Sequence, residues 1–186
     1  MDETDRADIR ASLGGDDDAF ARLVERYEPH VARLMWRFSR DRVQCEELIQ
    51  DVFVEAYLSL KSYRGDAPFL HWLRRIGTRV GYRFWKKRAK DEARVPLSEV
   101  QGLAGKPEEI DPAVAGELLD ALLAQLRPAD RLVLTLEYLE GCSMKEIAER
   151  TGWNVAVVKM RAHRARGKLK KIAERDRLLE TLPWTN

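Results

Sequence analysis

Between positions 63 and 87 of this 186-residue chain, rings and cations alternate. Tyr63, Phe69, Trp72, Tyr82, Phe84 and Trp85 are interleaved with Arg64, Arg74, Arg75, Arg79, Arg83 and Lys86, and Lys87 extends the run. Aromatic faces stack unpaired bases at about 1–3 kcal/mol each, while Arg and Lys side chains follow a phosphodiester backbone. Some of these rings must serve a core, with Phe69 and Phe84 the first candidates. A second block, residues 159–171, holds seven Lys/Arg and no acid. Both blocks suit binding a polyanion, not making or breaking a bond. His30, His71 and His163 are scattered. There is no glycine-rich phosphate loop and no carboxylate pair beside a nucleophile, so an enzyme acting on nucleic acid is the weakest reading. Neither cofactor nor metal is expected.

The formal net charge of +2 hides a strong segregation. Residues 1–18 carry seven acids against Arg6 and Arg10, residues 74–94 nine Lys/Arg against two acids, and residues 97–120 six acids against Lys106. Two basic blocks separated by an acidic one suggest two separate contacts with a polyanion. No apolar run approaches the roughly 20 residues of a membrane-spanning helix, and the acidic start has no signal-peptide core. A cytoplasmic protein without membrane insertion is expected. Cys45 and Cys142 are too few for a disulfide framework or a metal cluster and fit a reducing compartment as packed thiols.

Helical periodicity organises the rest, and the fold class expected is all-α, with two small domains. A helix starting near Asp17 or Asp18 repeats Phe20, Leu23, Val24, Tyr27, Val31, Leu34, Met35 and Phe38 on one side. The next places Cys45, Leu48, Ile49, Val52, Phe53, Ala56, Tyr57 and Leu60 together, with Glu46, Glu47, Gln50, Asp51 and Glu55 opposite. A third, from about Ala67, buries Phe69, Leu73, Ile76, Val80 and Phe84. These helices make a bundle over 17–90, preceded by a flexible N-terminus, 1–16. Residues 91–113 hold Pro96, Gly102, Gly105, Pro107 and Pro112 without periodicity and read as a mobile linker. The second domain spans 114–175, with a tail over 176–186. Its first stripe is Leu118, Leu119, Leu122, Leu123 and Leu126. Pro128 opens a helix burying Ala129, Leu132, Val133, Leu136 and Leu139.

Ser143 and Glu146 form a capping box, Gly152 suits a left-handed turn, and Asn154 can cap the last helix. On that helix Val158, Ala162, Ala165, Leu169 and Ile172 make a narrow dry back. Ala156, Met160, His163 and Gly167 face outward. Lys159 and Arg166 flank them on one side, and Arg161, Arg164 and Lys168 on the other. Such a helix suits the major groove, with basic shoulders on phosphates. Lys159, Met160 and His163 lead as base readers, and Arg164 could read a base or bind a phosphate.

The two halves together resemble a known family. Leu126–Arg131, Tyr138–Gly141, Glu146–Ala148 and Val158–Arg166 look like region 4 of bacterial sigma factors. Asp18-Ala-Phe20 with Leu23, then Cys45–Phe53, then Phe69–Ile76, look like region 2. With these two regions and neither an N-terminal extension nor a middle domain, the chain is similar to the extracytoplasmic-function (ECF) class. The resemblance implies that Glu47, Gln50 and Asp51, with Leu48 and Phe53, bind core RNA polymerase at the clamp helices of its large catalytic subunit. It implies that Tyr63, Arg64, Trp72, Arg75, Arg79, Arg83, Lys86 and Lys87 open and hold the −10 element of promoter DNA. The −35 element would fall to Asn154, Lys159, Met160, Arg161, His163, Arg164 and Arg166. An anti-sigma partner is also implied; Leu178, Leu179, Leu182 and Trp184 of the tail either join that contact or cap the second domain.

Two departures bear on promoter choice. The family usually has asparagine at Arg79 and aspartate at Arg83, and a larger aliphatic residue at Ala162 and a small polar one at Met160. The alternative reading is a stand-alone helix-turn-helix regulator, which would bind duplex tightly by itself, usually as a dimer on a palindrome. A sigma factor is expected to be monomeric when free.

Overall fold

Aspartates set where the first helices begin. The Asp2, Asp16 and Asp41 carboxylates accept from the backbone N–H groups of Thr4, Ala19 and Gln44, at 3.3, 3.1 and 2.8 Å. They open α1 (Glu3–Leu13), α2 (Asp17–Met35) and α3 (Arg42–Ser59), each satisfying an N–H that would otherwise lack an acceptor. A 3-10 turn, Leu60–Ser62, and a short loop lead into α4 (Phe69–Glu92). After these come α5 (Pro112–Ala124), α6 (Pro128–Leu134) with a π-helical turn at Thr135–Leu139, α7 (Met144–Thr151) and α8 (Val155–Arg175). The computed structural model describes residues 2–92 and 112–175, and every regular element among them is helical. The linker, apart from its two ends, and the tail contacts expected from the sequence lie outside the described residues. The chain divides into two compact units, the first containing Met1–Trp85.

In the first unit α2 buries Leu23, Val31, Leu34 and Met35 and packs against α3, which buries Cys45, Leu48, Val52, Phe53 and Ala56, while α4 buries Phe69, Leu73, Ile76 and Val80 and receives Leu34, Met35 and Val52 at Gly77. Glycine permits the closest approach. A Cβ on Gly81 would stand 2.3 Å from Cγ of Phe38, so the Phe38 ring occupies the place of a side chain on α4. That ring continues against Trp85, centroids 4.6 Å apart.

The acidic start, expected to be flexible, is helical from Glu3 to Leu13 and packs against α2. Asp5, Asp8 and Ile9 share one face of α1 and are 3–5% exposed. Burying two carboxylates is costly unless they are paired. Arg26 donates to Asp5 and to Asp8, both at 2.7 Å, Arg22 donates to Asp8 at 2.9 Å, and the Tyr27 hydroxyl donates to Asp5 at 2.6 Å. The guanidinium groups hold the Asp8 carboxyl below its ordinary range, the Arg26 hydrogen bond most strongly. Burial, then Asp5, push the Tyr27 phenol well up.

In the second unit Leu123, Leu126, Leu134 and Ala165 form a buried cluster with Leu139 and Leu169 against it. The leucine stripe of α5 is thus narrower than expected, since Leu119 is exposed. Two further expectations fail along α6 and the π-helical turn after it, where Ala129 and Leu139 are half-buried while Asp130 and Thr135 are buried. The π turn adds a residue to the helical repeat and shifts the face that follows it.

Candidate nucleic-acid interface

Steps of three and four along α4 line up Trp72, Arg75, Arg79, Tyr82, Arg83 and Lys86 on one side, away from Leu73, Ile76 and Val80. The four cations are exposed and the two rings half-buried. Arg64 is exposed in the preceding loop, and Lys87 is exposed but off this stripe. The Tyr63 ring lies 5.4 Å from Phe69 and 5.3 Å from Trp72, and its hydroxyl donates to the Ala67 carbonyl at 2.5 Å. Phe69 is 1% exposed and is therefore the floor on which Tyr63 and Trp72 rest. Phe84, expected in the core, is half-buried, and Trp85 takes its place at 4% exposure. The Gly77–Gly81–Trp85 spacing of four carries the buried stripe to Trp85 because neighbouring side chains enter at both glycines. The Arg83 guanidinium pairs with Glu55 of α3.

On α3 the structure separates two groups that the sequence had joined. Glu47, Gln50 and Asp51 are exposed, while Leu48 and Phe53 are 5% and 7% exposed. Leu48 and Phe53, expected on the polymerase face, are instead buried, as Cys45, Val52 and Ala56 of the same helix are. The exposed line runs Val43, Glu47, Gln50, Asp51, Val54 and Leu58, with Leu58 75% and Val43 64% exposed.

The helix-turn-helix is built by its caps. Ser143 N–H donates to the Glu146 carboxylate at 2.8 Å and Glu146 N–H to the Ser143 hydroxyl at 3.2 Å, closing the capping box of α7. Gly152 takes φ +76°, and the Asn154 side chain accepts from Ala156 N–H at 2.8 Å to start α8. Val158, Ala162 and Ala165 are at most 1% exposed and Ile172 6%. Ala156, Lys159, Met160, His163 and Gly167 are exposed, and Lys159, Met160 and His163 have no side-chain partner among the described residues. Three arginines expected on DNA already have protein partners. Asp130 takes Arg164 and Arg161, and Arg166 donates to Glu137 at 2.6 Å and to the Tyr138 hydroxyl at 3.0 Å. The acceptors sit on the helix and π turn before α7, where sequence spacing alone could not align them with α8.

The family model for sigma-70 region 2 matches residues 23–91, and that for sigma-70 region 4 matches residues 116–169. The chain is 31% identical to the ECF RNA polymerase sigma-E factor of Haemophilus influenzae, covering 88% of this chain and 92% of that one. The chain belongs to the ECF sigma factors of the sigma-70 family. It is also similar to the ECF sigma factor SigW of Bacillus subtilis, at 29% identity over 88% of this chain and 93% of that one. Among solved structures it resembles CnrH, seen in complex with the cytosolic domain of CnrY. There the identity is 27%, the TM-score 0.59, and 94% of this chain and 99% of that one are covered. This sigma factor is accordingly a transcription initiation factor, not an enzyme. Two sigma regions on one chain do not favour a stand-alone regulator. No helix among its described residues is long and apolar enough to cross a membrane.

Sequence reasoning missed the α1 clasp, the apolar flanks of the α3 face and the role of Asp130. Val43, Val54 and Leu58 carried a signal, since they fall on the polar side of α3 at helical spacing. The partners of Asp5, Asp8 and Asp130 carried none, because each pair joins separate helices.

Proposed function

We propose that this sigma factor binds core RNA polymerase through the outer line of α3, and places α8 on the −35 duplex and α4 on the −10 element. The observation that carries the reading is α8: a dry back, an exposed front of Lys159, Met160 and His163, and capped entry, on a chain matching both sigma regions. Glu47, Gln50 and Asp51, with Val43, Val54 and Leu58 replacing Leu48 and Phe53, form the polymerase face. Tyr63 and Trp72 stack extruded bases of one strand over the Phe69 floor, while Arg64, Arg75, Arg79, Lys86 and Lys87 hold its phosphates. Capturing flipped bases offsets lost pairing and stacking, a matter of a few kcal/mol per base. Arg83 contributes charge to this face while tied to Glu55.

The working division is 17–90 for the −10 and polymerase functions and 114–175 for −35 recognition, joined by 91–113, with α1 added to the first part. The protein acts in the cytoplasm, beside its polymerase. An anti-sigma factor fits as a partner, and this chain shares its fold, at a TM-score of 0.58, with the sigma factor RpoE of Bartonella quintana, solved in complex with the anti-sigma factor NepR.

Gel filtration of the purified chain with bacterial core RNA polymerase tests the reading. Co-elution is expected, with promoter duplex retained by the complex and not by the free chain. Tight duplex binding by the chain alone, without association with core, would instead identify a conventional regulator.

A further inference from the structure

Asp130 is charged, 3% exposed and in the first turn of α6. Its two oxygens are filled by the DNA-facing helix. Arg164 donates through Nε to one oxygen at 3.1 Å and through Nη2 to the other at 2.6 Å, a two-point fork. Arg161 adds a third bond from Nη1 at 3.3 Å while its guanidinium lies 4.8 Å above the Trp153 ring. The Arg164 side chain is still 48% exposed. Its Nη1 edge has no partner among the described residues, and it stands on the shoulder of α8 next to Met160. A free arginine loses rotamer freedom when it grips a phosphate, whereas one already held by a fork loses less.

We propose that Asp130 is a positioning residue for the −35 contact, holding Arg164 with its outer edge turned to a DNA phosphate while Arg161, braced on Trp153, completes the anchor. This rests on the reading of α8 as the duplex-binding helix. Asp130 thereby strengthens binding to a polyanion although it is itself an anion. Simple charge bookkeeping gives the opposite sign, since deleting a carboxylate near DNA should tighten binding.

The test uses holoenzyme assembled from core RNA polymerase and the full chain. The probes are a promoter fragment that the wild-type holoenzyme transcribes and the same fragment with its −35 element randomised. Wild type should prefer the intact fragment; if it does not, the reading of α8 falls and the proposal with it. Asp130→Asn and Arg164→Ala should each lower affinity for the intact fragment by about three- to tenfold, as loss of one ordered charge-assisted contact implies, and should weaken the randomised one as well, since a phosphate contact carries no sequence information. The double variant should be no weaker than Arg164→Ala, because both changes remove one contact. Unchanged or tighter binding by Asp130→Asn, or losses that add in the double variant, would overturn the proposal. If Asp130→Asn does not fold, Arg164→Lys decides the matter, since it keeps the charge and loses the fork. Binding near the Arg164→Ala level supports the proposal, and wild-type affinity overturns it.

Discussion

The indole N–H of Trp85 donates a 2.8 Å hydrogen bond to the main-chain carbonyl of Phe38, 47 residues earlier. The bond fixes α4 to the residues just beyond the end of α2, at the point where Gly81 lets the Phe38 ring enter. Gly81→Ala puts a methyl group into that ring. The expected loss is about 1–3 kcal/mol from overpacking, read as a lower urea midpoint with an unchanged slope.

The α3 assignments separate a core from a surface. Phe53→Ala should cost about 3–5 kcal/mol of stability, as truncation of a buried aromatic does. Leu58→Glu should change stability by no more than about 0.5 kcal/mol, since the residue lies on the surface, yet should abolish co-elution with core polymerase. Melting curves and gel filtration on the two variants check both halves. A destabilised Leu58→Glu chain, or one that still binds core, would contradict the assignment.

The clasp between α1 and α2 predicts an acid limit to stability. Arg26 and Arg22 depress the Asp8 pKa below its ordinary value of 3.8 in the folded chain. The folded state therefore binds a proton less readily than the unfolded one. The contribution is present above the unfolded value and is lost as pH falls through the lower, folded value. Urea midpoints should drop between pH 5 and the acid end of the range, and drop less for Asp8→Asn. Arg26→Met leaves Asp8 with Arg22 and Asp5 with the Tyr27 hydroxyl, and should cost about 1.5–3 kcal/mol at neutral pH.

The helix architecture, the two-region organisation and the back of α8 were legible because each rests on local periodicity and caps. Ser143, Glu146, Gly152 and Asn154 behave in the structure as their spacing requires. What could not be read were relations between distant segments. Acid content made residues 1–16 look like a flexible N-terminus, whereas Asp5 and Asp8 are partnered from residues 14 to 22 positions away. Phe84 and Trp85 exchanged roles because the buried stripe of α4 is bent by what enters at Gly77 and Gly81. Arg161 and Arg164 looked like plain DNA contacts until Asp130, 31 and 34 positions earlier, was seen beneath them. For Cys45 the stripe was enough: it is 6% exposed, and burial pushes its thiol up, as expected of a packed side chain and not a reactive one.

Asn154 illustrates how stability and recognition share a residue. Its side chain was expected both to cap α8 and, by the family resemblance, to meet DNA, and in the structure it accepts the Ala156 N–H as the cap. Asn154→Ala should cost about 1 kcal/mol of stability, while Asn154→Ser, another good cap, should restore it. Thermal melts of the two variants check the assignment, and equal melting points would contradict it.

The central claim is that this chain directs polymerase to start sites. Run-off transcription with purified bacterial core RNA polymerase, the full chain and fragmented DNA from its source organism tests it directly. Discrete transcripts that vanish with Gln50→Ala and Asp51→Ala together are the predicted result. No transcripts with active core polymerase, alongside tight duplex binding by the chain alone, would contradict it.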